Sequence, residues 1–108
     1  MMLKASIPIE AGNAAIRDGS IGEKIQSILA DLKPEAAYFT DFDGKRTGYI
    51  FFEMKDTSQI PAVAEPWFLA FSAGVEFKPV MSPDDLAKAQ PGIDRAVKIG
   101  RASCRERV

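Results

Sequence analysis

Six side chains carry the chemistry this sequence could assemble: Lys4, Ser6, Tyr38, Tyr49, Glu53 and Lys78. Glu53 or a lysine would serve as a general base if partial burial shifted its titration. Tyr38 or Tyr49 would polarise a carbonyl. Together these groups fit a small organic ligand held in an apolar cavity with a few polar contacts. The same residues also suit an ordinary protein interface with paired rim charges. The two readings need the same thing first, a fold that brings positions 4 to 78 onto one surface.

Other chemistries are poorly supplied. Histidine is absent, which removes the commonest general base and a favoured metal ligand. Gly12, Gly19 and Gly22 are scattered and form neither a dinucleotide fingerprint nor a P-loop. Asp41 and Asp43 lack the remaining spacing of a calcium loop. No cofactor and no metal are therefore expected. The 108 residues make one domain, and 14 basic residues balance 15 acidic ones. Balanced charge without a basic cluster argues against nucleic acid. No apolar run is long enough for a bilayer and the N-terminus lacks a signal-peptide pattern, so the expected location is cytoplasmic.

The segment that must position these groups is Ala36–Lys55, AAYFTDFDGKRTGYIFFEMK. Two aromatic-rich runs meet at Asp43-Gly44, the pair that a type I′ turn favours because both central residues need φ > 0. A two-residue loop pairs Asp41 with Arg46, Tyr38 with Tyr49 and Ala36 with Phe51. Alternation puts Ala37, Phe39, Ile50, Phe52 and Met54 on one face. The other face receives Tyr38, Thr40, Tyr49, Phe51 and Glu53. Both are substantially apolar, so both need cover.

Met2–Ile9 reads as a first strand, with Leu3, Ala5, Ile7 and Ile9 on one face and Lys4, Ser6 and Pro8 on the other. Glu10–Gly19 reads as a connection punctuated by Gly12 and Gly19, with one helical turn around Asn13–Arg17. Ser20 and Glu23 fit a capping box for a helix to Leu32. Its stripe is Ile21, Ile25, Ile28, Leu29 and Leu32, and Pro34 stops it. Asp56-Thr57-Ser58 offers caps for a second helix to Ser72, striped by Ile60, Val63, Ala64, Trp67, Phe68 and Phe71. Pro66 should kink that helix or restart it, and Gly74 should end it. Val75–Met81 is the last strand. Ser82-Pro83-Asp84-Asp85 opens a short helix. Pro91-Gly92 interrupts it, and Ile93–Lys98 adds a turn.

The order is β-α-β-β-α-β with a short C-terminal helix. That is an α+β, ferredoxin-like pattern, a four-stranded antiparallel sheet with both main helices on one face. Leu3, Ala5, Ile7, Phe39, Ile50, Phe52 and Phe77 should lie beneath the helices. Lys4, Ser6, Tyr38, Tyr49, Phe51, Glu53, Glu76 and Lys78 should lie on the open face. An uncovered apolar patch there predicts a homodimer with sheets packed face to face.

The runs IPIEAGNAAIRDGSIGEKIQ, LKPEAAYF, IPAVAEPWF and VEFKPVM, with the hairpin, resemble a family of small bacterial proteins of unknown function similar to dimeric α+β barrel domains. The resemblance covers Met1 to about Lys98 and brings no catalytic residues. Some similar chains carry a pantothenate synthetase label. Pantothenate synthetases are much longer nucleotide-binding enzymes with a histidine-containing motif near the N-terminus. Three functions stay open: a homodimer binding a small organic molecule or serving as an interaction module, a cofactor-independent isomerase or oxygenase acting on a small aromatic or carbonyl compound, and a purely structural dimer or subunit of a larger complex. The final run Ile99–Val108, IGRASCRERV, contains the only cysteine, Cys104. It reads letter for letter as one translation frame of a common sequencing adapter. The expected natural domain is therefore 1–98, with 99–108 a non-native tail.

Overall fold

Strand β1, Met2–Ile7, alternates with Leu3, Ala5 and Ile7 buried and Lys4 and Ser6 half-buried, but it stops short of the expected Ile9, which opens a helix and is exposed. A computed structural model describes the backbone of residues 1–106. The two residues beyond, and the side chains from 102 onward (Cys104 included), lie outside the described residues. Strands β2, Ala36–Phe42, and β3, Lys45–Phe51, form the hairpin, and β4 is Gly74–Lys78. The expected hairpin register holds throughout, including Asp41 opposite Arg46 and Tyr38 opposite Tyr49. The turn explains why: Asp43 and Gly44 have φ of 54° and 74°, the left-handed pair of a type I′ turn. The sheet is antiparallel with order β2-β3-β1-β4. β3 thus lies between β2 and β1, and β1 between β3 and β4.

The element order departs from a strict βαββαβ. Glu10–Gly19 is mostly helix: α1 spans Ile9–Arg17, with Glu10 in its first turn and Arg17 in its last. Gly12 reads as punctuation in sequence but is a packing residue. Its N–H donates to Pro8 O at 2.9 Å, and it is buried against the Arg46 side chain. Helix α2, Ile21–Leu32, has the expected bounds but not the expected cap. Ser20 is already helical in φ and ψ, and its side chain makes no capping bond. The local structure is instead an Asx turn, in which Ser20 N–H donates to Asp18 Oδ1 at 2.8 Å. Lys33, at φ 52°, ends α2.

Asp56 and Gln59 form a reciprocal capping box on a short 3₁₀ turn, Thr57–Gln59. It feeds α3, Ile60–Phe71, which runs through Pro66. The left-handed stop is Ser72, at φ 53°, not Gly74, which opens β4. Helix α4, Pro83–Lys88, begins with a Ser82–Asp85 capping box. Pro91 does not interrupt the chain's helical course. It sits in the first turn of α5, Gln90–Glu106, where a proline's missing N–H has no partner to lose. Every side chain of α5 from Gln90 to Arg101 is exposed, and the molecule measures 66 × 27 × 23 Å.

The core lies on one face of the sheet. Leu3, Ala5, Ile7, Ile50 and Phe52 are buried there with Trp67 and Phe71 of α3, and the α2 stripe is partly buried against them. Phe77 is half-buried and meets Phe52 edge-on, with ring centroids 6.4 Å apart. Phe68 lies at the rim, 42% exposed. Phe39 is the main departure: it shares the core face but is 51% exposed. β2 is an edge strand, and Phe39 folds over Gly48, its partner in the ladder.

Candidate functional site

The second face of the sheet carries most of the candidate residues. Lys4 stands opposite Tyr49 on one side and Glu76 on the other. Tyr49 stands opposite Tyr38, Ser6 opposite Thr47, and Lys78 opposite Met2. Five of the six predicted residues therefore share this face. Glu53 does not belong to the ladder. β3 stops at Phe51, Phe52 turns into the core, and its N–H donates to Met1 O at 3.0 Å. Glu53 is left exposed beyond the strand end.

The five do not converge on one point. Lys4 reaches from β1 across β3 to β2, where its Nζ lies 3.1 Å from the centre of the Phe42 ring. This cation–π contact straps the face. Beneath it Thr47 is only 2% exposed, and its hydroxyl donates to Lys45 O at 3.1 Å. Toward the other end, Tyr38 and Phe51 meet edge-on at 6.2 Å. Tyr38 is 64% exposed and Phe42 50%.

Two grooves flank this aromatic row. One, of about 320 Å³, is lined by Lys4, Ser6, Phe42, Lys45 and Glu76. The other, of about 670 Å³, is lined by Tyr38, Phe51, Glu53, Met54, Met81 and Asp85. The candidates thus divide between the grooves, Lys4 and Ser6 in one, Tyr38 and Glu53 in the other. Tyr49 stands between Lys4 and Tyr38 in the ladder, and Lys78 is exposed on the edge strand β4. Among the described residues, no three His, Cys, Asp or Glu side chains gather where they could hold a metal ion.

The carboxylates with displaced titration lie at turns and caps. Asp56 is held below the usual aspartate range by the Ser58 backbone N–H, and Asp85 by the Ser82 backbone N–H. These are structural roles. What the open face offers chemically is aromatic surface with a lysine already spent on one ring. That suits a flat apolar molecule or a second apolar surface better than proton transfer.

Neither a family model nor a curated protein nor a solved structure matches this chain. No described helix is long and apolar enough to cross a membrane.

Sequence reasoning missed two features. Phe42 shares the parity of Tyr38 in the hairpin register, so its place on the open face was readable, but its ring contact with Lys4 spans three strands. Arg46 stands opposite Asp41 in the ladder as expected. Its guanidinium leans instead toward α1 and donates to Asn13 Oδ1 at 3.2 Å.

Proposed function

We propose that this protein acts as a homodimer whose open sheet faces pack together, in the manner of a dimeric α+β barrel built from ferredoxin-like domains, and that it holds a small organic molecule between them. The supporting observation is the aromatic row Tyr38, Phe42 and Phe51 on the face that no helix of the core covers. An antiparallel sheet with one solvated face normally turns polar side chains to water. Exposed aromatic surface there is characteristic of an interface, and a two-fold axis lets the face cover itself. The 670 Å³ groove beside Tyr38 and Phe51 falls in the range of small-molecule sites. It would be roofed by the second copy.

Light scattering behind size exclusion tests this reading. The expected mass is that of a dimer, and the double variant Tyr38→Ser/Phe42→Ser should be a folded monomer. A wild-type chain that stays monomeric as concentration rises would overturn it. A dimer that survives the double variant would place the interface elsewhere.

A further inference from the structure

A separate groove of about 320 Å³ opens on the helical side of the sheet, between the edge strand β2 and helix α2. Its walls are Ile7, Ile21, Ile25 and Phe39, with Thr40 and Arg46 also lining it. The groove exists because α2 does not reach over the sheet edge. Every residue of the α2 stripe is only half-buried, and Phe39 is half-exposed beside it. A cavity of this size is at the lower end for organic ligands.

Arg46 is the charged residue that lines this groove. The hydrogen bond its guanidinium makes is to the neutral amide of Asn13. Gly12 makes room for it: a Cβ there would stand 2.5 Å from Arg46 Nη1. The cation is thus seated by a glycine and an amide rather than by a carboxylate. Asp41 stands opposite Arg46 in the ladder, but the guanidinium leans away from β2 toward α1. A planar guanidinium held in this way retains donors that match a carboxylate.

We propose that this groove binds a small apolar carboxylate, its hydrocarbon lying on Ile7, Ile21, Ile25 and Phe39 and its carboxylate taken by Arg46. The site lies on the opposite side of the sheet from the dimer face, so it stands independently of the proposed dimer.

Backbone amide chemical shifts, followed during titration with octanoate, octan-1-ol and octylammonium, test this. Octanoate should shift the amides of Ile21, Ile25, Phe39 and Arg46 saturably, and bind more tightly than the alcohol or the amine. Arg46→Gln should weaken octanoate by roughly tenfold or more, the loss expected for a charge-assisted hydrogen bond, while leaving octan-1-ol unchanged. Gly12→Ala should act in the same direction by displacing the guanidinium, and Asp41→Asn should tighten octanoate. The binding should persist in Tyr38→Ser/Phe42→Ser. Absence of saturable shifts, shifts confined to Tyr38, Tyr49 and Phe51, or equal affinity for octanoate and octylammonium would overturn the proposal. So would an Arg46→Gln protein that keeps its fold and its octanoate affinity.

Discussion

At the scale of single residues, burial follows neighbours more than type. Phe39 and Phe52 both belong to the core face by alternation, yet one is half-exposed and the other 4% exposed. Phe52 lies beside Phe77 and within the cluster built on Leu3, Ile50 and Trp67, whereas Phe39 lies over a glycine at the sheet edge. Phe52→Ala should therefore cost about 3–5 kcal/mol. Phe39→Ala should cost well under half of that, because much of its ring is already in water. Urea unfolding of the two variants measures both. Equal losses would mean that Phe39 is covered in solution.

At the scale of elements, caps and turns explain most boundaries. The Ser82–Asp85 box at the start of α4 is reciprocal, with Ser82 N–H donating to Asp85 Oδ2 at 3.1 Å and Asp85 N–H to Ser82 Oγ at 3.2 Å. The first of these holds Asp85 below its ordinary value of 3.8. A carboxylate lowered in the folded state stabilises fully above its unfolded value, and the effect disappears as pH falls through the folded one. Protection of the α4 amides from exchange should thus be flat above pH 3.8 and decline below it. Asp85→Asn should flatten that decline. Helix α1 is the element least visible in the sequence. Gly12 and Gly19 read as breaks, but Gly12 is enclosed against Arg46, a residue 34 positions later. Ser20 and Glu23 failed as a cap for a local reason: the Asp18 carboxylate, two residues before Ser20, takes the Ser20 N–H that Glu23 would have needed.

At the scale of the whole molecule, the sheet and helices α1, α2 and α3 form one packed body, and α5 extends from it with its described side chains in water. Ile99 is 58% exposed. Ending the chain after Lys98 should therefore shift the melting temperature by no more than about 3 °C. A larger drop would show that the segment packs against something in solution, a second copy included. The hairpin, its register, the α+β class and the sheet face bearing Lys4, Ser6, Tyr38 and Tyr49 were all determined by the sequence alone. Each rests on local rules: Asp43-Gly44 needs positive φ, and strands alternate with period two. The tertiary structure alone decided that Phe39 stays half in water, that Gly12 is helical, that Lys4 straps the face to Phe42, and that Arg46 turns to α1 at the mouth of an apolar groove. These outcomes depend on which strand is at the edge and how far α2 reaches across it. Such distances are set by packing between residues far apart in the chain, where local periodicity carries no information.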